Sequence, residues 1–333
     1  MIEKSGVGRA IYHQKTAAGR NHICCVDTME EADVVHINTI FPKSLWTAYR
    51  AKKRNIPVVY HAHTTSEDFR NSFIGTNQVA GLFRQWLKCC YRCSDVVVTP
   101  SEYSKSLLEN YQLGRRIEVI SNGIDLEYYN DNQKTEQRKL FREKYGYQEN
   151  DKIIMSAGLQ IARKGILDFV EMAKAIPQYQ FIWFGESNPM TIPHAIRKAI
   201  KTKLPNLRFA GYVGRDDLKQ AYQGCDLFLF PSKEETEGIV ILEALAMKIP
   251  VLVRNIPVYD GWLQDNRQVY MADSIQEFMS RATAILEEEL PDLTKQAYEV
   301  ARARSIDKVG ERLYETYQSI QDSPLNGKLV SVI

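Results

Sequence analysis

The chain lacks the features that mark membrane-spanning, secreted or nucleic-acid-binding proteins. No apolar run approaches the roughly 20 residues that a bilayer-spanning helix needs. The first residues contain no apolar h-region, so we expect no signal peptide, a cytosolic location and reduced cysteines. The 43 Lys and Arg residues nearly balance the 41 Asp and Glu residues, so no overall charge favours nucleic acid.

Motifs for metal or redox chemistry are also missing. Of the six cysteines, Cys90 and Cys93 have CxxC spacing, but no second pair follows at the distance that a zinc site needs. No Asp-x-Asp stands in a metal-site context. We therefore expect no metal and no other cofactor, and we interpret all six cysteines as small buried hydrophobic residues.

The chain is rich in short apolar runs that alternate with helical patterns, which is typical of a doubly wound parallel α/β sheet. At 333 residues it can bury two cores. In the first half, strands are predicted at 23–26, 34–37, 58–60, 96–98 and 117–120. In the second half, strands are predicted at 153–156, 181–184, 207–210, 227–230 and 251–253. The polar, charged stretch 129–150 separates the halves, so we predict domains at 1–128 and 129–305.

Residues 231–246 organise the second half of the chain. An apolar strand leads into a charged turn, and a helical pattern begins after Gly238. The first N–H groups of a helix bind phosphate oxygens, whereas carboxylates accept hydrogen bonds from sugar hydroxyls. Acidic residues in a first turn also complement the helix dipole, which explains Glu235 and Glu237 but not Glu243. The stretch therefore indicates a ligand with both phosphates and hydroxyls.

This stretch resembles the Glu-x7-Glu signature of the family 4 retaining glycosyltransferases, which have the GT-B fold. The resemblance implies two Rossmann-like domains that face a cleft, with the acceptor on the first and the nucleotide-sugar donor on the second. It implies that Glu235 contacts the donor sugar and Glu243 the ribose, with Glu237 and Gly238 beside the donor. A last helix at 306–322 would return to the first domain, and we expect a disordered tail at 323–333.

A basic pair precedes a helix near the start of the second half. Arg163 and Lys164 lie where two cations would stabilise a pyrophosphate leaving group, although a solvated basic turn has the same spacing. The family pattern there is Gly-Arg followed by Lys-Gly, and Leu159 occupies its Arg position. We therefore expect Arg163 to supply the second charge. Val213 matches the place where the family's backbone reads the nucleotide base.

The first half offers a glycine pair and a histidine pair. Gly6 and Gly8 precede a helix, as in phosphate-binding loops, but the strand that normally comes first is missing. His61 and His63 follow the strand at 58–60, at the end of the sheet where ligands bind. A metal site and ordinary structural histidines are the alternatives. The resemblance implies that His63 contacts the donor hexose.

The helical stretch 79–93 is apolar on one face and basic on the other. Trp86 lies on the apolar face, and Arg84, Lys88 and Arg92 form a row opposite it. Such a helix suits an anionic membrane surface, which would make the protein a peripheral membrane protein. The alternative is a core helix with a solvated basic face.

The motifs most resemble the Gram-positive synthases that add a second hexose to α-glucosyl-diacylglycerol, making the anchor lipid of lipoteichoic acid. The resemblance implies a UDP-hexose donor, a glycolipid acceptor, metal-independent catalysis and retention of configuration, with galactose favoured over glucose. The alternatives are a family 4 enzyme that makes a cell-wall, capsular or small-thiol glycoside, and a non-catalytic nucleotide-sugar-binding protein.

Overall fold

The computed structural model describes residues 5–26, 28–321 and 330–332. The chain divides into two units, of which the first contains residues 1–69, 78–125 and 303–333 and the second contains residues 70–77 and 126–302. Each unit holds a six-stranded sheet in which the named strands pair in parallel. The predicted parallel α/β architecture is therefore confirmed. The predicted boundary after residue 128 lies close to the observed crossing after Asp125.

The first unit is built from alternating strands and helices and from a C-terminal segment that returns to it. Its helices are α1 (Gly6–Arg20), α2 (Pro42–Lys53), α3 (Ser66–Phe69), α4 (Thr76–Arg92, whose first two residues belong to the second unit), α5 (Glu102–Glu109) and α13 (Ile306–Gln318). Its strands are β1 (Cys25–Val26), β2 (Val34–Ile37), β3 (Val58–His61), β4 (Val96–Thr99), β5 (Arg116–Val119) and β12 (Val330–Val332).

The second unit repeats the alternation. Its helices are α6 (Lys134–Tyr145), α7 (Ile166–Ala175), α8 (His194–Ile200), α9 (Arg215–Gly224), α10 (Ile239–Ala246), α11 (Ile275–Leu286) and α12 (Thr294–Ala303). Its strands are β6 (Ile153–Ala157), β7 (Gln180–Phe184), β8 (Leu207–Gly211), β9 (Leu227–Phe230), β10 (Val251–Arg254) and β11 (Tyr270–Ala272). The sequence analysis did not predict β11, α12 or the short α3.

Both cores form because the central strands are apolar on both faces. In β2, β3, β4, β6 and β9 every residue is buried, which is typical of parallel sheets covered by helices on both sides. In the first unit, α2, α4 and α5 pack on one face of the sheet. Helices α1 and α13 pack on the other face. The helix predicted at 306–322 therefore belongs to the first unit.

The C-terminal strand corrects two expectations. The strand order of the first sheet is β1-β12-β2-β3-β4-β5, so β12 lies between β1 and β2 and pairs in parallel with both. The sheet thus has an interior strand that the N-terminal sequence did not provide. The expectation of a disordered tail is wrong for Val330–Val332, and the rest of that tail lies outside the described residues. This pairing joins residues about 300 positions apart, which no local pattern can predict.

The cysteine interpretation needs a partial correction. Cys90 and Cys225 are buried, but Cys24, Cys25 and Cys89 are exposed. Cys25 lies in the two-residue edge strand β1, and Cys24 directly precedes it. An edge position leaves one side of a strand open to solvent.

Candidate functional site

The basic pair and the first motif glutamate meet at the end of the second sheet. Lys164 Nζ lies 2.5 Å from Glu235 Oε1, and Arg163 Nη1 lies 3.8 Å from the same oxygen. Ser232 donates a hydrogen bond of 2.5 Å to it. Lys164 and Glu235 are 71 positions apart in the sequence. The structure therefore brings together three side chains that the sequence analysis assigned to the donor, and it adds Ser232, for which the sequence held no signal.

The charge state of Glu235 follows from these contacts. The residue is 5% exposed, and its burial alone raises the pKa of the carboxyl. The cations Lys164 and Arg163 outweigh burial, and with the hydrogen bonds they hold the pKa of Glu235 below its usual value. Glu235 is therefore a carboxylate at neutral pH, paired with two cations in a buried place. Such a cluster can exchange partners with a diphosphate and with sugar hydroxyls.

Close backbone contacts hold this cluster at the carboxyl ends of neighbouring strands. The φ angle of Gly165 is +77°, and a Cβ atom there would lie 2.3 Å from the carbonyl oxygen of Pro231. A Cβ on Gly185 would lie 2.2 Å from the carbonyl oxygen of Gly158. The backbone N–H of Lys233 donates to the carbonyl of Arg163 at 2.7 Å. The Lys-Gly turn and the Glu-bearing turn thus form one unit, because only glycine allows this approach.

The second motif glutamate is fully enclosed. Glu243 is 1% exposed, accepts a hydrogen bond of 2.6 Å from the Tyr129 hydroxyl at Oε1, and accepts one of 2.9 Å from Tyr222 at Oε2. The Tyr222 hydroxyl also lies 3.2 Å from the carbonyl of Val240. In this structure Glu243 ties α10 to α9 and to the segment before α6. Its predicted contact with the ribose stays a prediction.

The other residues predicted to bind the nucleotide-sugar donor also lie beyond the carboxyl ends of strands of the second sheet. Gly238 is the residue before α10 and has a φ of +95°, while Glu237 is 1% exposed. Val213 is half-buried and follows β8 by two residues. The backbone of the preceding turn is held by a hydrogen bond of 2.7 Å from Gly185 N–H to the carbonyl of Gly211. These positions are compatible with the donor roles that the resemblance implies, and those roles stay predictions.

The first unit holds its own pocket at the ends of β2 and β3. The pocket has a volume of about 140 Å³ and is lined by Ser5, Val7, Asn38, Thr39, Ile40, Phe41, His61, His63, Thr64 and Tyr91. Ser5 and Val7 flank Gly6, and the Ser5 hydroxyl accepts from Gly8 N–H at 3.2 Å to begin α1. The glycine pair and His63 therefore lie beside one pocket. The pocket is small, and the polar side chains of Asn38, His61 and His63 contribute to its lining.

His63 is held in a stack of neutral imidazoles. Its ring lies parallel to that of His61 at 4.1 Å, and His36 lies 5.4 Å beyond His61. His63 Nε2 lies 2.8 Å from Asn38 Oδ1, within hydrogen-bond distance. Burial lowers the pKa of His63 to about 3, partly offset by a hydrogen bond with Asn122. His63 is therefore uncharged at neutral pH and suited to hydrogen bonding with a sugar hydroxyl. Asn38 was not found from the sequence.

The residues predicted to face a membrane on α4 are engaged within the first unit. Trp86 Nε1 donates to the carbonyl of Ile40 at 2.8 Å, and its ring packs against the core. Arg84 and Arg92 donate to backbone carbonyls just after α5, at 2.9 Å and 2.8 Å. Lys88 is half-buried. This placement favours the alternative of a core helix whose basic residues serve local contacts.

Comparison with known proteins identifies the chain. The description "Glycosyltransferase Family 4" matches residues 25–128, and "Glycosyl transferases group 1" matches residues 137–304. The chain is also 38% identical to the processive diacylglycerol alpha-glucosyltransferase of Acholeplasma laidlawii, over 96% of the chain and 95% of that relative. The chain belongs to the family 4 glycosyltransferases. The predicted family is confirmed.

Other relatives of this glycosyltransferase act on related lipids according to their names. The alpha-galactosylglucosyldiacylglycerol synthase of Streptococcus pneumoniae is 29% identical over 90% of the chain and 81% of its own length. Among solved structures, Anabaena HepE in complex with UDP and glucose has a TM-score of 0.69 at 21% identity, covering 86% of this chain and 78% of its own. WaaG, a glycosyltransferase of lipopolysaccharide biosynthesis, has a TM-score of 0.66 at 16% identity, covering 96% and 97%. These structures confirm the GT-B fold.

Two features of the described residues bear on the remaining predictions. No described helix is both long enough and apolar enough to cross a membrane. No group of three or more His, Cys, Asp and Glu side chains in the described part of the chain is arranged to hold a metal ion. Metal independence stays a prediction.

Proposed function

We propose that this glycosyltransferase moves a hexose from a UDP-sugar to a diacylglycerol glycolipid, with retention of configuration, at the surface of an anionic membrane. The observation that carries the acceptor is the 38% identity that extends over 95% of a diacylglycerol alpha-glucosyltransferase. A relative matched over nearly its whole length shares both the donor half and the acceptor half of the chain. The proposal therefore does not depend on a donor motif alone.

The cluster around Glu235 supports the donor half of the proposal. Lys164 and Arg163 would leave their ion pair with Glu235 and neutralise the diphosphate as it departs. The freed carboxylate would then accept hydrogen bonds from hydroxyls of the hexose. The cations supply this stabilisation without a metal ion, and same-face attack through an oxocarbenium-like state needs no covalent nucleophile. A neutral His63 is able to exchange hydrogen bonds with a sugar hydroxyl.

The identity of the hexose is the most specific part of the proposal. The 38% identical relative is named a glucosyltransferase, and the 29% identical synthase is named for galactose. The sequence analysis favoured galactose. The two sugars are epimers, so one hydroxyl and its partners decide between them. Both donors are therefore tested, although the more similar relative is the one named for glucose.

A non-lipid acceptor is the second candidate, and one observation favours it. Helix α4 packs against the core through Leu87, Cys90 and Tyr91, as expected for a family member without a membrane-binding α4. The names of the relatives favour the lipid acceptor instead.

The test uses the purified protein with α-glucosyl-diacylglycerol in detergent micelles and, separately, UDP-glucose or UDP-galactose. The masses of the product lipids are measured by mass spectrometry, and the configuration of the new glycosidic linkage is assigned by NMR. We expect a dihexosyl lipid in the α configuration with one donor. Binding of UDP without any lipid product would refute the proposed acceptor, and a β product would refute retention.

Two variants test the donor cluster directly. Lys164→Gln should weaken UDP binding by roughly tenfold or more, because it removes a charge-assisted contact to phosphate. Glu235→Gln should reduce transfer by about a hundredfold while UDP still binds. Lys233→Gln is the matched control, since Lys233 is a cation of the same turn but pairs with Asp168 at 3.3 Å. Equal losses in all three variants would contradict the assignment.

A further inference from the structure

We infer that Ser72 positions the guanidinium of Arg163 for the diphosphate of the donor, so that a residue from the first half of the sequence completes the donor cluster. We define the docked loop as residues 70–77, which belong to the second unit, as Arg163 does. The two residues are 91 positions apart in the sequence. The inference deepens the proposed function and rests on it, because that function assigns Arg163 to the diphosphate.

The guanidinium of Arg163 is fixed on one side by the docked loop and on the other by the turn that carries Glu235. Arg163 Nε donates a hydrogen bond of 3.1 Å to Ser72 Oγ. Arg163 Nη1 donates one of 2.6 Å to the carbonyl of Glu234. Ser72 is 4% exposed, and the side chain of Arg163 is 12% exposed. Two of the three guanidinium nitrogens therefore have fixed partners in an enclosed place.

The third nitrogen of the guanidinium is the one that a phosphate can reach first. Within the part of the chain that the structure describes, Arg163 Nη2 donates to no protein group. Because a guanidinium is planar, two anchored nitrogens fix the direction of the N–H groups on the third. Arginine binds phosphate well through two parallel N–H groups, and a partner at Nε leaves the Nη1 and Nη2 pair for that approach. The contact with Ser72 thus selects one face of the cation for the ligand.

Ser72 also limits the competition that Glu235 offers for this cation. Glu235 is a buried carboxylate, and Lys164 Nζ lies 2.5 Å from its Oε1. Arg163 Nη1 stays 3.8 Å from the same oxygen, which is longer than a hydrogen bond. A long arginine side chain anchored only at Nη1 could turn towards the carboxylate and close this gap, whereas the bond from Nε to Ser72 opposes that turn. Lys164 is therefore engaged by Glu235, while Arg163 is held ready for the diphosphate.

Two neighbours of Ser72 anchor the docked loop to the second unit. Phe73 packs against the apolar core of that unit. The backbone N–H of Ile74 donates to the carbonyl of Thr191 at 2.9 Å. Because a side chain and a backbone group are anchored directly after Ser72, holding its hydroxyl against Arg163 costs little further conformational entropy.

The docked loop is also closed by its own hydrogen bonds. The backbone N–H of Asn71 donates to Asn77 Oδ1 at 2.9 Å, and Asn77 Nδ2 donates to Asn71 Oδ1 at 2.9 Å. The Thr76 hydroxyl donates to the carbonyl of Phe73 at 2.9 Å. The φ angles of Asn71 and Gly75 are +55° and +82°, in the left-handed region that these two residue types tolerate. The loop therefore presents Ser72 from a preformed support.

The test compares binding of UDP, measured by calorimetry, with binding of uridine, measured as a competitor of UDP. Ser72→Ala removes the acceptor at Nε, so we expect about a fivefold loss for UDP, the size of one net hydrogen bond. Uridine has no phosphate and should bind as it does to the wild type. Ser72→Cys keeps the size of the side chain with a poorer acceptor and should show the same selective loss. Equal losses for UDP and uridine would mean that Ser72 is only structural and would overturn the inference.

A double-mutant cycle shows whether Ser72 acts through Arg163. Arg163→Lys keeps the positive charge but removes Nε and the paired N–H groups, so we expect UDP binding to weaken by about tenfold. In that background Ser72→Ala should cause no further loss, because no Nε remains to be positioned. A fivefold loss that persists in the Arg163→Lys background would mean that the Ser72 hydroxyl contacts the donor directly, and it would overturn the inference.

Thr76→Ala is the matched control. Thr76 is 5% exposed in the same loop, and its hydroxyl donates to a backbone carbonyl instead of accepting from a cation. We expect this variant to bind UDP and uridine like the wild type. The melting temperature of every variant verifies that it is folded. If Thr76→Ala weakens UDP binding as much as Ser72→Ala does, the integrity of the loop matters and the contact with Arg163 does not, so the inference is wrong.

Failure of the inference and failure of the proposed function give different results. If Arg163→Lys weakens UDP binding and Ser72→Ala does not, the inference fails and the proposed donor cluster stands. If Arg163→Lys binds UDP like the wild type, Arg163 does not meet the diphosphate, and the donor cluster fails together with the inference. No acceptor is present in these measurements. A selective loss of UDP binding in Ser72→Ala therefore supports the inference even if the wild type transfers nothing to a glycolipid, a result that would refute only the proposed acceptor.

Discussion

Acidification should destabilise the first unit, because the structure buries His36 and His61 as neutral imidazoles. His36 is 0% exposed and His61 is 1% exposed. Burial, reinforced by His63, lowers the pKa of His36 from 6.5 to about 3. Burial and the neighbouring imidazoles lower the pKa of His61 well below its usual value. His36 Nδ1 lies 2.6 Å from the Tyr317 hydroxyl, and His61 Nδ1 lies 2.6 Å from Gln14 Nε2.

The sign and the size of the effect follow from proton linkage. The folded pKa values are depressed, so the unfolded chain takes up protons near pH 6.5 while the folded chain does not. Stability is therefore greatest above pH 6.5 and is lost as the pH falls towards the folded value of about 3. Each group contributes about 1.4 kcal/mol per pH unit, so at about pH 5 each histidine removes about 2 kcal/mol and the pair about 4 kcal/mol. That is a large part of the roughly 5–15 kcal/mol that stabilises a typical domain.

Amide hydrogen exchange measured by mass spectrometry suits this prediction, since it reports the stability of β2 and β3 peptides separately from the second unit. The double variant His36→Phe/Tyr317→Phe removes one titrating ring together with its hydroxyl partner, so no buried phenol is left unpaired. We expect this variant to lose about a third of the pH dependence between neutral pH and pH 5, because His61 and His63 also have depressed pKa values and remain.

The control is His22→Asn, which removes an exposed histidine at a φ of 57°, a conformation that asparagine tolerates. It should keep the full pH dependence. If the wild type and His36→Phe/Tyr317→Phe lose stability in parallel as the pH falls, then the buried imidazoles are not the cause and the reasoning is wrong.

Two glycines test the close packing. Gly165→Ala should weaken UDP binding and lower the melting temperature, because the new Cβ would lie 2.3 Å from the carbonyl of Pro231; Gly146→Ala has a similar φ of +74° and open space, so it should cost only about 1 kcal/mol. Comparable losses by calorimetry in both would show that backbone strain alone matters. Gly310→Ala should destabilise the first unit, since its Cβ would lie 2.6 Å from the carbonyl oxygen of Ala17 in α1. Gly19 lies in α1 itself and has open space around it, so Gly19→Ala should be neutral or stabilising by up to about 1 kcal/mol. Urea unfolding measures both variants.

The donor motifs show why a local pattern can be interpreted without the structure. The spacing of apolar residues around Gly238 predicts strand, turn and helix, because strand and helix periods are properties of neighbouring residues. The structure has β9 at Leu227–Phe230 and α10 at Ile239–Ala246, within a residue of the prediction. Lys164 and Glu235 were assigned to one ligand by resemblance, and the folded chain places them 2.5 Å apart.

The histidines and α4 show where such patterns are insufficient. The amphipathic pattern at 79–93 is the same whether basic residues face lipid or neighbouring carbonyls, and only the position of α5 decides that Arg84 and Arg92 do the latter. Likewise, nothing local to His63 predicts Asn38 as its partner, since the two are 25 positions apart.

The sequence by itself determined the alternating elements, the family and the residue types of the donor cluster, because these depend on short-range periodicity and on fixed spacing within turns. Only the tertiary structure decided that β12 lies between β1 and β2, that Tyr129 and Tyr222 enclose Glu243, and that Ser72 lies against Arg163. These features depend on contacts between distant segments. The free energy of such contacts is set by burial and hydrogen bonding in three dimensions, which a linear pattern does not contain.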